Sequence, residues 1–163
     1  MHERADGEEK EMEKPYFPMF VDISGKKVLV VGGGRIALRR VKTLLMFGPE
    51  ILVTAPRLEE ELIELERRGR IRICQREYCP EDICGADIVL AATDDRELNR
   101  NIWKICREQE IPVNTADDKS LCDFYFPSVI MTEDVVIGIN SGGTDPGKVK
   151  ETRRRLTKYM NES

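Results

Sequence analysis

The chain has 163 residues, of which 40% are apolar and 34% charged, with a net charge of -4 and an isoelectric point near 5.3. This length fits one main domain with a small appendage, and the acidic balance argues against a nucleic-acid-binding protein. No apolar run is long enough for a membrane span or a secretory signal, and the five cysteines are an odd number, so we expect a cytoplasmic protein with reduced thiols.

Residues 1–14 are strongly charged, and we predict a disordered lead-in that contains the only histidine, His2. An apolar strand, Val28–Val31, follows and runs directly into three glycines. A helical pattern begins after them, with Ala37 and Val41 on its apolar side. The chain therefore opens its folded part with a strand, a glycine turn and a helix.

This arrangement is typical of a dinucleotide site. Gly32 permits a tight turn, Gly34 lets phosphates approach the backbone, and Gly33 lies between them. The N–H groups of Arg35 and Ile36 at the helix start would face the pyrophosphate. The alternative is a glycine turn that only packs a strand on a helix.

Strand and helix patterns alternate up to residue 114. Further strands are predicted at residues 50–54, 71–74, 87–92 and 111–114, and helices at 58–68 and 97–108. The alternation predicts an α/β fold, a Rossmann-like doubly wound parallel sheet that spans residues 15–118. Ligands of such sheets bind at the carboxyl ends of the strands.

The alternation breaks after this sheet. Residues 124–130 and 135–140 are β-rich and predict a hairpin. One face of that hairpin lacks a covering element, so we assign residues 119–144 to dimerisation and predict a homodimer. Asp145 and Pro146 then start a helix that runs to about Tyr159, in a short terminal segment of residues 145–163.

Polar residues follow the fourth and fifth predicted strands. Thr93 and Asp94 are placed to bind the cofactor, although capping of the next helix is the alternative for Asp94 and its neighbour Asp95. Asn114 and Asp117 end the fifth strand. Asp117 is our candidate acid/base, with a turn residue as the alternative.

The end of the second strand departs from the usual fingerprint. An acidic residue normally holds the ribose 2′-hydroxyl there, but this chain has Thr54, Ala55, Pro56 and Arg57. We place Ala55 and Pro56 in the cofactor site. The choice between NAD and NADP stays open, since Arg57 would tolerate a 2′-phosphate.

A second small-residue loop precedes the last helix. The N–H groups of Ser141, Gly142 and Gly143 could bind an anion, or the loop could only start the helix. The helix carries an excess of lysine and arginine, including Arg153 and Arg154, which either bind an anionic ligand or form a solvated face. With one histidine and cysteines at unsuitable spacing, no metal site is expected.

Together these segments resemble the siroheme synthase N-terminal family, the NAD-dependent precorrin-2 dehydrogenases. The resemblance covers about residues 15–147. It rests on an ordered series of motifs: residues 18–23, the glycine turn with residues 37–40, residues 53–56, residues 91–95 with Asn99, and residues 113–118, 121–128 and 141–146.

The resemblance implies oxidation of precorrin-2 to sirohydrochlorin with NAD⁺ as hydride acceptor. It places the essential aspartate of the family at Asp117 and a loop near the tetrapyrrole at Ser141–Gly143, and it implies a homodimer. Since precorrin-2 carries eight carboxylates, Asn114, Arg153 and Arg154 are assigned to the substrate. Some members also insert ferrous iron, but this chain stops at Ser163, before the helical module of the family, which argues against ferrochelatase activity.

A second hypothesis is a regulatory domain that senses NAD(H) without catalysis, as in potassium channels. It predicts an acid after the second strand and no need for the Asp117 and Ser141 segments. A third is a degenerate tetrapyrrole carrier or chelatase subunit.

Overall fold

The computed structural model describes residues 16–162. The predicted lead-in, with His2, lies outside these residues. A five-stranded parallel sheet has the order β3-β2-β1-β4-β5. Its strands are β1 (Lys27–Val31), β2 (Glu50–Thr54), β3 (Arg72–Cys74), β4 (Ile88–Ala91) and β5 (Val113–Thr115).

Three helices cover the two faces of this sheet: α1 (Arg35–Leu44), α2 (Glu60–Arg67) and α3 (Arg96–Glu108). Successive side chains of β1 point to opposite faces of the sheet, as in any strand, and so pack in two different cores. Val30 belongs to the core shared with α1 and α2, whereas Val31 belongs to the core shared with α3. The predicted Rossmann-like doubly wound fold is therefore confirmed.

The strand register aligns the carboxyl ends that carry the candidate site. Val31 of β1 pairs with Thr54 of β2 and with Ala91 of β4, and Ala91 pairs in turn with Thr115 of β5. The chain order reverses between β1 and β4, which opens a crevice at this edge of the sheet. The loops that follow β1, β2, β4 and β5 meet at the crevice.

The predicted hairpin is confirmed as an antiparallel pair, β6 (Ser128–Met131) and β7 (Val136–Ile139). Residues 124–127, predicted as strand, lie outside β6, because the Phe124 carbonyl accepts a hydrogen bond from Asn114 and Pro127 has no N–H to donate. Likewise β5 begins at Val113, after Pro112, rather than at residue 111.

The last helix, α4 (Pro146–Asn161), contacts both strands of the hairpin and runs two residues past the predicted end. Its N-cap is Asp145, as predicted: the carboxylate accepts from the N–H of Lys148 at 2.8 Å. The domain boundaries at residues 118 and 144 stay predictions. Among the described helices, none combines the length and apolar character needed to cross a membrane.

Candidate active site

The glycine turn after β1 contains two glycines that the fold requires and one that faces open space. Gly32 has φ +121°, and a Cβ there would lie 2.3 Å from the carbonyl oxygen of Ala92. A Cβ on Gly33 would lie 2.1 Å from the carbonyl oxygen of Arg57. A Cβ on Gly34 would meet nothing within 4 Å. The first two glycines thus allow close backbone packing, and the third leaves room for a ligand.

The start of α1 presents unpaired backbone donors to that space. Gly34 is the N-cap and has no side chain to cap the helix, so the N–H groups of Arg35 and Ile36 have no capping partner among residues 16–162. Both residues are exposed, while Ala37 is fully buried where the helix meets the sheet. An open cradle of N–H groups at the positive end of a helix fits a pyrophosphate.

The end of β2 lies against the same turn. Ala55 is buried, and its Cβ is 3.0 Å from the position that a Cβ on Gly33 would take. Pro56 and Arg57 are exposed. The hydroxyl oxygen of Thr54 is buried without a hydrogen-bond partner among the described residues. An orphaned hydroxyl where dinucleotide folds place the ribose contact supports a cofactor site here.

A hydrogen-bond network joins the ends of β4 and β5 to α3. The side chain of Asn99, fully buried on α3, donates to Asp117 Oδ1 at 2.8 Å and to the Thr93 carbonyl at 3.1 Å. Its own oxygen accepts from the Thr93 hydroxyl at 2.7 Å. Asn99 therefore holds Thr93 and Asp117 at one place, although they are far apart in the sequence.

The two aspartates after β4 have different surroundings. Asp95 caps α3, since its carboxylate accepts from the N–H groups of Glu97 and Leu98 at 2.9 and 3.0 Å. Capping, the alternative given for this pair, is thus confirmed for Asp95. Asp94 is exposed in the same loop, and its cofactor role stays a prediction.

Asp117 lines a cavity of about 350 Å³ between β5, the chain before the hairpin and the start of α4. Asn114, Asn140 and Gly143 are among its other walls. Asn114 is buried and its amide nitrogen donates to the Phe124 carbonyl at 2.7 Å, while its oxygen has no partner among the described residues. The fold thus brings the candidate acid/base and two predicted substrate residues, Asn114 and Gly143, to one cavity.

Two polar groups of the Ser141 loop form hydrogen bonds with neighbouring residues. The Ser141 hydroxyl accepts from the N–H of Asp145 at 3.1 Å, and the N–H of Gly142 donates to the side-chain oxygen of Asn140. Gly142 and Gly143 have φ +67° and +74°, the left-handed region that favours glycine. In this conformation the loop starts α4, and it contributes Gly143 to the cavity wall.

The two predicted arginines of α4 are separated. Arg153 lines a second groove, of about 420 Å³, with three basic residues of α1, namely Arg35, Arg39 and Lys42. Arg154 is exposed and pairs with Glu151 on its own helix at 2.9 Å. Neither lines the Asp117 cavity, so any role in substrate binding is peripheral to it.

Two residues of the site were missed by reasoning from residue types. Arg40 lines the cavity although it lies on α1, and burial lowers its pKa to about 10. Asn99 holds Asp117. The helical period could have identified both, because it places each of them on the buried face of its helix among apolar residues. A polar side chain on a buried face is costly without a partner, which marks it as a candidate functional residue.

Cys74, Cys79 and Cys84 carry free thiols, and among residues 16–162 no group of three or more potential ligands is close enough to hold a metal ion.

Comparison with known proteins gives a family match. Residues 19–128 match the family described as "Putative NAD(P)-binding". This match confirms the prediction of a nicotinamide dinucleotide as cofactor. A solved structure named "SirC, precorrin-2 dehydrogenase" is 30% identical with a TM-score of 0.76, covering 88% of this chain and 71% of that chain.

Curated relatives carry siroheme names. "Probable multifunctional siroheme biosynthesis protein HemA" of Ruminiclostridium josui is 42% identical over 87% of this chain. "Siroheme synthase" of Nitrosococcus oceani is 38% identical over 86% of this chain. The chain spans only 28% and 30% of the length of these two relatives.

Proposed function

The chain belongs to the family described as "Putative NAD(P)-binding" and is similar to SirC and to part of siroheme synthase, and from this premise we propose that it is a precorrin-2 dehydrogenase. It would oxidise precorrin-2 to sirohydrochlorin with NAD⁺ in siroheme biosynthesis. The observation that carries the proposal is the position of Asp117, held by Asn99 on a cavity at the same sheet edge as the glycine turn.

The cofactor site is assigned to the crevice between β1 and β4. Gly34 gives the pyrophosphate access to the N–H groups of Arg35 and Ile36, and Ala55 and Pro56 line the ribose side. Bound NAD⁺ supplies the hydride acceptor. Thr93, whose hydroxyl bonds to Asn99, lies at the end of β4 between this crevice and Asp117.

Asp117 is assigned as the group that accepts the proton lost by precorrin-2. Oxidation of precorrin-2 removes a hydride and a proton, and a carboxylate within reach of the reacting carbon accepts the proton as a general base. The hydrogen bond from Asn99 to Oδ1 orients the carboxylate. In this assignment the other oxygen, Oδ2, faces the substrate.

The substrate is assigned to the cavity beside Asp117, with Asn114 and Gly143 among its walls, and Ser141 and Gly142 stay proposed contacts next to it. The groove that contains Arg153 adds a basic surface for the outer carboxylates of the tetrapyrrole. We further propose a cytoplasmic homodimer, which would cover the exposed apolar side chains of Met131 and Val135 at the hairpin.

The test is anaerobic incubation of the protein with precorrin-2 and NAD⁺, followed by NADH absorbance. The unaltered chain should produce NADH, and Asp117→Asn should lose turnover by about 100-fold or more while binding NAD⁺ unchanged. Asn99→Ala should lower kcat as well, since it frees the Asp117 carboxylate. Glu108→Gln, on the exposed last turn of α3, makes the same chemical change as Asp117→Asn and should have no effect.

Three outcomes would contradict the proposal. An unaltered chain that binds NAD⁺ but produces no NADH would favour the sensing domain. An active Asp117→Asn variant would remove Asp117 from its role. Tetrapyrrole binding without any reaction would favour the carrier, and adding Fe²⁺ to sirohydrochlorin tests iron insertion separately.

A further inference from the structure

Arg40 is a buried cation on the wall of the Asp117 cavity. Only 8% of the residue is exposed, and its Nη1 nitrogen is buried without a hydrogen-bond partner among the described residues. Burial lowers its pKa to about 10, which still leaves the guanidinium charged at neutral pH. The fold therefore places a positive charge inside the site.

The surroundings of Arg40 do not balance this charge. No carboxylate of residues 16–162 forms an ion pair with it, and the contact that the structure shows is the ring of Phe126, whose centroid lies 5.4 Å from Cζ. A buried charge without a partner opposes folding. A charged group kept in such a place indicates that a ligand supplies the missing anion.

A second unpaired atom lies on the same cavity. Asn114 Oδ1 is a buried acceptor without a donor in the described part of the chain, while the amide nitrogen of the same side chain already donates to the Phe124 carbonyl. The walls therefore offer one unused cationic donor and one unused acceptor. A ligand that matches both carries a carboxylate near an N–H or O–H group.

We propose that Arg40 binds a carboxylate of the substrate in this cavity, next to Asp117, and that Asn114 Oδ1 accepts a hydrogen bond from the same molecule. The guanidinium fork matches a carboxylate in geometry as well as in charge. Nη1 is closed to water in this structure, so side chains of the cavity wall, such as the half-buried ring of Phe126, shift when the carboxylate arrives.

The assignment separates this anion site from that of the cofactor. The pyrophosphate cradle at Gly34 is formed by backbone N–H groups, and none of the three glycines lines the Asp117 cavity. The identity of the substrate as a polycarboxylate tetrapyrrole rests on the proposed function. The loss of Arg40 should therefore affect binding of the tetrapyrrole and leave binding of NAD⁺ unchanged.

The experiment compares the full chain with Arg40→Met and Arg40→Lys. Sirohydrochlorin is the binding probe in equilibrium dialysis, precorrin-2 gives KM and kcat, and NAD⁺ is titrated separately. Arg40→Met should weaken sirohydrochlorin binding and raise KM for precorrin-2 by tenfold or more, with NAD⁺ affinity unchanged. Arg40→Lys keeps the charge and should recover part of the loss. Arg70→Met, at an exposed arginine between α2 and β3, is the matched control.

Thermal unfolding distinguishes a binding role from a structural one. Arg40→Met should unfold at the same or a higher temperature than the unaltered chain, because it removes an unpaired buried charge. A lower unfolding temperature with unchanged sirohydrochlorin binding overturns the proposal, as does equal KM in Arg40→Lys, Arg40→Met and the unaltered chain. If the unaltered chain binds sirohydrochlorin through Arg40 but does not oxidise precorrin-2, the proposed function fails and the Arg40 site stands.

Discussion

Substitution of Gly34 and of Gly32 in the turn should separate cofactor binding from folding. For Gly34→Ala the backbone is compatible with any residue, at φ -85° and ψ -171°, and the new Cβ meets no protein atom within 4 Å. Alanine is a poorer N-cap than glycine by about 0.5–1 kcal/mol. Alanine also reduces the conformational freedom of the unfolded chain, which stabilises the folded state by about 0.4–1 kcal/mol. The two effects offset each other, so the free energy of unfolding should hardly change.

The same methyl group should weaken NAD⁺ binding, because it occupies the open space next to the N–H groups of α1 that the proposed site gives to the pyrophosphate. Loss of one charge-assisted hydrogen bond costs about 1.5–3 kcal/mol, which raises the Kd by about 10- to 100-fold. Titration calorimetry with NAD⁺ and urea unfolding measure the two effects on the same preparation.

Gly32→Ala should give the opposite pattern. Its Cβ would lie 2.3 Å from the carbonyl oxygen of Ala92 at φ +121°, and strain together with overpacking costs about 3 kcal/mol or more. This variant should lose stability first. If Gly34→Ala binds NAD⁺ as tightly as the unaltered chain, the pyrophosphate does not lie at the start of α1, and the assignment of the crevice is wrong.

Two further predictions concern the charged residues. Arg153→Glu should raise KM for precorrin-2 several-fold, because Arg153 shares a groove with three basic residues of α1. Arg154→Glu loses only a surface ion pair and should change KM less. Equal effects of the two variants in steady-state kinetics would show that the groove is not the binding surface. Hydrogen bonding from Arg76 holds the pKa of Asp82 below its usual value, so the folded state gains stability above the unfolded pKa of about 4 and loses it as the pH falls through the lower folded pKa. Arg76→Met should therefore destabilise the protein at pH 7 but have little effect near pH 2. Urea unfolding of the variant and the unaltered chain measures this loss of stability at both pH values. An equal loss at pH 7 and pH 2 would refute the coupling.

Much of the fold could be predicted because its signals are local. The alternation of apolar strands with helical periods fixed the five strands, the helices and the hairpin to within a few residues, and Asp145 with Pro146 marked the start of α4. The errors lie where a distant partner decides. Phe124 looks like a strand residue, but its carbonyl is taken by Asn114, and a pattern of residue types does not contain that contact.

The candidate site shows the same division. The glycines, the missing acid after β2 and the choice of Asp117 follow from the order of residues around each strand end. The bond from Asn99 to Asp117, by contrast, joins residues 18 positions apart, and Arg40 reaches the cavity from another helix.

The sequence by itself determined which groups this chain can offer: a glycine turn of the kind that binds phosphates, a carboxylate after the fifth strand, a single histidine and a basic last helix. These depend on residue type and near neighbours, which the sequence states directly. Only the tertiary structure decided which groups act together. It joined Asn99 to Asp117 and buried Arg40 with no hydrogen-bond partner for Nη1 among residues 16–162. It also gave Arg153 and Arg154 different surroundings, a basic groove and an ion pair with Glu151. The physical reason is that hydrogen bonds and buried charges act over a few ångströms, and the packing of distant segments sets those distances.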